Sequence, residues 1–391
     1  MITVTQALEH LFTLADEMPV EHVPLVEADG RVLAQSVAAR RTQPPFAASS
    51  MDGYAVKAVE ADQHAQFKVV GEAAAGHGWN GTLGAGQAVR IFTGAPVPDG
   101  ADKVVIQEDI TRNGDLITIT DDPGAKDNIR PAGIDFALGD TLDAHRVLAP
   151  ADIALLASMN IADIPVRRAP VVALIATGDE LVMPGEVPGP DQIIASNTFG
   201  LAAMLRRLGA VPRILPIARD SAVSLTTVFG LTTGADLIVT IGGASVGDHD
   251  LVGHVAGELG MNRSFYKVAM RPGKPLMAGR LNGTPMVGLP GNPVSAMVCG
   301  TVFLTPMIRA MLGLGQAQAP RVKVPLSTSL AANGPREHYM RGRVRAGAVE
   351  DAGLQDSSLL SVLADANALI VRPPNDPARD AGDMVDIIHL N

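Results

Sequence analysis

DLIVTIGGASVGDHDLV, residues 236–252, joins an apolar run, Leu237–Ile241, to three glycines and two aspartates. A short continuous apolar run bounded by turn residues reads as a strand buried on both faces, the signature of a parallel sheet. Gly242, Gly243 and Gly247 then offer backbone amides of the kind that cradle an anion. A nucleotide loop would supply a lysine next; here Ser245, Asp248 and Asp250 follow. Acids at the lip of an anion site call for a cation between them, so the stretch predicts an α/β ligand loop that shares a divalent metal with its ligand.

Outward from this stretch, residues 170 to about 315 alternate strand and helix. "VVALIAT" is followed by "GDEL", helix "SNTFGLAAMLRRLG" by strand "VPRILPI", and helix "SAVSLTTVFGL" by the quoted strand. Such alternation means βαβ units and a doubly wound, mostly parallel sheet. Asn282-Gly283 marks a hairpin between "PLMAGR" and "TPMVGL". Near the N-terminus Val4, Ala7, Leu8, Leu11, Leu14 and Met18 recur at helical spacing, with Thr3 and Gln6 as a capping box. Helical patterning returns in "APADIALLASMNI", which is expected to pack against the first helix. Between the two lie short strands such as "FKVV", "VRIF", "DKVVIQ" and "LITIT", and short strands resume after "LGQAQAPRV". The expected architecture is multidomain α/β plus β. A discontinuous helical domain spans 1–40 and 140–168, a β-rich insertion 41–139, the α/β domain 169–318, and a small β-barrel-like domain 319–391.

The 391 residues carry a net charge of −10, which argues against a nucleic-acid partner. Mean hydropathy is +0.20, yet charges interrupt the apolar segments, so no run of membrane-spanning length and no membrane partner are expected. The N-terminus lacks the basic region of a secretion signal. One cysteine, Cys299, excludes an intrachain disulfide framework, fits a reducing cytoplasm, and reads as a buried structural thiol.

Ligands of open α/β sheets bind beyond the carboxyl ends of the strands. Three such ends carry acids: Asp179 and Glu180 after Thr177, Asp220 after Arg219, and Asp248 with Asp250. Any one of them would pass as a helix cap. Acids at three strand ends point instead to a shared Mg²⁺. "KVAMRPGKPLMAG" places Lys267, Arg271 and Lys274 beside rigid Pro-Gly turns, where their charges can meet an oxyanion. "VGLPGNPVSAM" then starts a helix at Pro293, with Ser295 among its free amides. Neither a G-x-x-x-x-G-K-[ST] nor a G-x-G-x-x-G loop is present, and the nine histidines show no zinc-type spacing. His249 reads as a surface residue.

Read together, these segments resemble the molybdopterin molybdotransferase (MoeA) family, which includes the C-terminal part of gephyrin. The resemblance rests on "PPFAASSMDGYAV", "IFTGAPVP", "NIRPAGID", "ATGDEL", "IIASN", "GGASVGDHD", "RPGKP" and "GLPGNPVSA", in that order along the chain. It implies a four-domain subunit with a central MogA-like domain, and a homodimer. It also implies the last step of molybdenum cofactor synthesis: adenylylated molybdopterin plus molybdate, with Mg²⁺, gives the cofactor and AMP. By motif, Asp52, Glu180, Asp220 and Asp250 take the catalytic positions, with Glu180, Asp220, Asp248 and Asp250 as the metal set. Thr93, Ser196, Asn197, Gly242, Gly243, Ser245, Lys267, Arg271, Lys274, Asn292, Pro293 and Ser295 contact the substrates. The chain departs from the family at Ala244, where valine is usual, at Ile134, where an acid is common beside Asp135, and at Arg271, where lysine is frequent. Two rival readings remain, a molybdopterin adenylyltransferase and a gephyrin-like peptide-binding scaffold; the adenylyltransferase is also an expected transient partner.

Overall fold

Every residue of Leu237–Ile241 is buried, and the strand lies inside a six-stranded sheet. The computed structural model describes residues 1–243 and 251–390. The sheet runs Val211–Ile214, Val171–Ala176, Leu237–Ile241, Thr284–Leu289, Met277–Leu281, Asn262–Tyr266. The first four strands run parallel to one another; the fifth pairs antiparallel with the fourth, and the sixth antiparallel with the fifth. Successive side chains of a strand point to opposite faces. Val172 and Leu174 accordingly join one core with the helices Asn197–Arg207 and Pro293–Met311. Ala173 and Ile175 join a second core with Ala222–Gly230 and Leu251–Glu258. The Asn282-Gly283 turn has positive φ at both residues, 50° and 86°, and closes Leu281 against Thr284 as a hairpin.

Thr3 caps helix Val4–Leu14 through the expected box: its hydroxyl accepts from Gln6 N, and Gln6 Oε1 accepts from Thr3 N. The packing of this helix departs from expectation. Its buried stripe joins the α/β core, against the helix ending at Met311 and the strands Asn262–Tyr266 and Met277–Leu281. Helix Pro150–Ser158 instead buries Leu156 among Val23, Leu33, Leu148 and Ile164. Periodicity shows which stripe of a helix is buried, and either core could have received it.

The remaining β structure of the described residues forms three larger sheets and three two-stranded ones. Val20–Pro24, Asp163–Arg167, Val32–Leu33 and Arg146–Val147 make one of four strands. Between its halves in sequence lies a six-stranded sheet: Lys103–Ile106, Gly53–Val56, Gln87–Ile91, Gln66–Ala73, Leu116–Ile119, Ile110–Asn113. The C-terminal sheet orders Glu337–Arg345, Ala368–Arg372, Met384–His389 and Val322–Pro325, with Ala348–Asp351 alongside the first. Its outer neighbour is Met270–Arg271, which comes from the cationic segment and pairs in parallel with Glu337 and His338. Pro293–Met311, with a π-helical turn at Gly300–Leu304, is a 19-residue helix of mean hydropathy 1.5. That exceeds the length expected for any apolar run here. The helix is 78% buried inside the protein and serves as the core of the α/β unit.

Candidate functional site

A cavity of about 940 Å³ opens beyond the carboxyl ends of Val171–Ala176 and Leu237–Ile241. Parallel strands end there in Thr177-Gly178 and Gly242-Gly243, and all four residues line it. The backbone requires these glycines. Gly242 has φ +95°, and a Cβ on it would lie 2.7 Å from the Thr177 carbonyl oxygen. Gly243 has φ +66°, and its Cβ would meet Val252 Cγ2 at 2.2 Å and Thr177 Oγ1 at 2.9 Å. The Gly242 amide already donates to the Leu289 carbonyl, so it holds the turn and is not open to a ligand. Thr177 is 3% exposed, and its hydroxyl has no hydrogen-bond partner among the described residues. Sequence reading noticed this threonine only as a neighbour of the acids.

Glu180 and Asp220 both line the cavity. Arg219 ties their two loops together, donating from its guanidinium to the carbonyls of Asp179 at 3.1 Å and Leu181 at 2.9 Å. The Asp220 amide donates to Asp179 Oδ1 at 3.1 Å, which makes Asp179 a brace and leaves Glu180 and Asp220 as the cavity acids. Ser221 caps the next helix by accepting from Ser224 N.

The first turn of helix Asn197–Arg207 forms another wall, through Ser196, Asn197 and Thr198. No side chain caps this turn, so its amide ends offer an anion a favourable dipole. Asn197 Nδ2 donates to Gly291 O at 2.7 Å and joins that wall to Asn292 and Pro293, which also line the cavity. Asn292 Nδ2 donates in turn to Ser357 Oγ at 3.1 Å, and Ser358 completes the lining. Ser357 and Ser358 escaped sequence reading. Their only signal is a polar pair just ahead of the helix Leu360–Asp365.

The structure thus gathers Glu180, Asp220, Ser196, Asn197, Gly242, Gly243, Asn292 and Pro293 around one cavity. Ser245, Asp248 and Asp250 lie outside the described residues. Of the cationic segment, Pro275 reaches the lining, whereas Lys267, Arg271 and Lys274 stand apart from it. Lys267 Nζ sits 4.9 Å from the centroid of the Tyr266 ring, a cation–π contact. Arg271 is exposed on its short strand beside His338. Ser295 is 3% exposed and is not part of the lining. Gly273 packs directly on Cys299, whose thiol is fully buried and pushed up by burial, as expected of a structural residue.

Asp52 and Thr93 form a separate pair in the β-rich sheet. Asp52 Oδ1 accepts from the Thr93 amide at 2.8 Å and from its hydroxyl at 2.7 Å, which together hold the carboxyl below its ordinary range. Next to them Arg90 stacks between the Tyr54 and Phe92 rings, 5.0 and 4.6 Å from their centroids. Neither Asp52 nor Thr93 lines the Glu180 cavity of its own chain.

Three family models match in succession. The MoeA N-terminal region (domains I and II) covers 2–160, a probable molybdopterin binding domain 173–310, and the MoeA C-terminal region (domain IV) 323–390. The molybdopterin molybdenumtransferase of a Nostoc species is 36% identical, over 96% of this chain and 90% of its own length. The chain belongs to the molybdopterin molybdenumtransferase family. A second member, from Haemophilus influenzae, is 33% identical over the whole of this chain and 99% of its own. A molybdopterin biosynthesis MoeA protein from Pyrococcus horikosii, solved by crystallography, superposes with a TM-score of 0.85 at 29% identity, covering all of this chain and 99% of that one. Membership of the molybdenumtransferase family makes this chain a transferase of molybdenum cofactor biosynthesis. The cavity falls mostly within the segment matched as a probable molybdopterin binding domain, with Ser358 reaching in from the C-terminal region.

Proposed function

We propose that this chain inserts molybdate into adenylylated molybdopterin with the help of Mg²⁺, releasing AMP and the finished cofactor. The observation that carries this reading is the single cavity that joins two carboxylates to a glycine turn and an uncapped helix start. A pyrophosphate-linked pterin presents anionic oxygens along its length. The first turn at Ser196–Thr198 suits those oxygens, and Asn197, locked to Gly291, holds the turn in place. Glu180 and Asp220 fit a magnesium ion: neither carboxylate is engaged in an ion pair among the described residues. Magnesium usually takes one or two carboxylates and completes its shell with phosphate oxygens and water. When bound, it would neutralise charge on the anhydride as AMP departs. Asp248 and Asp250 belong to the same proposed acid set. Lys274, adjacent in sequence to the lining residue Pro275, supplies positive charge for molybdate from outside the lining, whereas Arg271 is held on a strand beside His338. Positioning of the two substrates contributes most of the rate. Buried Cys299 takes no covalent part.

The site is proposed to be completed across a homodimer, because Asp52 and Thr93 lie off the cavity of their own chain. In a two-fold dimer each site would receive Asp52 from the other subunit. An Asp52→Ala chain paired with a Glu180→Ala chain then forms one doubly damaged and one intact site. Purified mixed dimers should recover up to about half of wild-type activity per dimer, as symmetry requires. Mixed dimers as inactive as both parents would place the whole site within one chain.

AMP release from adenylylated molybdopterin tests the chemistry itself. It should require both Mg²⁺ and molybdate, and Glu180→Gln or Asp220→Asn should slow it by roughly a hundredfold. Consumption of ATP with unadenylylated molybdopterin would identify an adenylyltransferase instead. Turnover in neither assay would leave a binding scaffold.

A further inference from the structure

Ser196 and Asn197 also border a second cavity, of about 660 Å³, that no other proposed substrate contact enters. Its walls come from helix Asn197–Arg207, helix Pro293–Met311, helix Leu360–Asp365 and the segment Ile388–Leu390. The interior is apolar, built from Met204, Leu208, Met297, Leu360, Leu363 and Leu390. The hydroxyls of the lining are already committed: Ser196 donates to Asn197 Oδ1 at 3.3 Å, Thr301 to the Met297 carbonyl at 3.2 Å, and Thr305 to Met204 Sδ at 4.0 Å. Two methionines let such a wall adapt to an occupant's shape. The size lies within the range of small-molecule sites. Charge is one-sided among the described residues, since Arg207 and His389 line the cavity and no Asp or Glu side chain does. Arg207 is exposed and makes no ion pair among the described residues.

We propose that this cavity binds a small amphipathic anion, with its apolar body among the methionines and leucines and its carboxylate or sulfonate against Arg207. An apolar body alone would account for burial but would gain nothing from the guanidinium, and a compact inorganic anion would gain nothing from the walls. The inference stands on this cavity's own lining and is independent of what the main cavity transfers.

Calorimetric titration of the full chain with octanoate and with 1-octanol separates the two contributions. Both should saturate at one site per chain. Arg207→Ala should weaken octanoate about tenfold and leave octanol unchanged, because only the former has a charge to lose. Ala203→Trp, from an exposed position on the lip of the cavity, should abolish binding of both. Ala364→Trp repeats the block from a different helix, and thermal unfolding verifies that each variant is folded. Octanoate that never saturates, Arg207→Ala that weakens both ligands alike or neither, or both tryptophan variants binding normally would overturn the proposal.

Discussion

His338 is 9% exposed on its strand, and burial together with the guanidiniums of Arg271, Arg372, Arg336 and Arg341 brings it down to about 4. An unfolded histidine titrates near about 6.5. Between those values the unfolded chain binds a proton that the folded chain refuses, so this contribution to stability is complete above about pH 6.5 and is lost as pH falls toward 4. The lowered carboxylates, such as Asp52, Asp236 and Asp376, act further down: their contribution is present above the ordinary carboxylate range and is lost only as pH falls through it. The window from about pH 6.5 to 5 therefore isolates the histidine. Urea midpoints measured across that window should fall in the wild type and stay nearly flat in His338→Gln. An equal fall in both would assign the acid sensitivity to other groups.

Among the elements, burial outweighs capping. Leu11, fully buried in the α/β core, should cost about 2–5 kcal/mol as Leu11→Ala. Thr3→Ala, which removes the cap of the same helix, should cost about 1 kcal/mol. Urea denaturation of both variants checks the order, and a costlier cap would mean that the helix end is held more tightly than its packing implies. The turn after Leu237–Ile241 has its own demand. Gly242→Ala meets the Thr177 carbonyl as well as a left-handed backbone, for which φ alone costs about 1–2 kcal/mol. Its unfolding midpoint should drop, and the proposed AMP release should suffer with it, since the turn lines the cavity.

At the scale of the molecule, ion pairs tie segments distant in sequence. Arg168 grips both oxygens of Asp236, at 2.6 and 2.9 Å, while Asp236 also accepts from the Val171 amide at 2.7 Å. Arg280 holds Asp16 just past the first helix, and Arg167 pairs with Glu17. Asp236→Ala removes three hydrogen bonds at the start of two central strands and should cost about 2 kcal/mol or more, read as a lower thermal midpoint. A change within about 0.5 kcal/mol would show that the pair behaves like an exposed one. The strand Met270–Arg271 plays a similar linking part: the cationic segment is stitched to the C-terminal sheet through Glu337 and His338.

The sequence by itself determined what depends on near neighbours. The predominantly apolar run Leu237–Ile241 implied a strand covered on both faces, Asn282-Gly283 implied a hairpin, and Thr3 with Gln6 implied a helix start. Glycines followed by acids at strand ends implied a ligand site, because the topology of a parallel sheet brings those ends to one edge. The tertiary structure alone decided which buried stripe meets which core. Helix Val4–Leu14 lies on the α/β sheet because apolar contact is non-directional, and periodicity names a face without naming its partner. For the same reason Ser357 and Ser358 gave no sign that they would close a cavity some sixty residues upstream, near Asn292. Nor did spacing show that Arg271 would be drawn off toward His338 by a two-residue strand, since backbone pairing between distant segments leaves no local pattern to read.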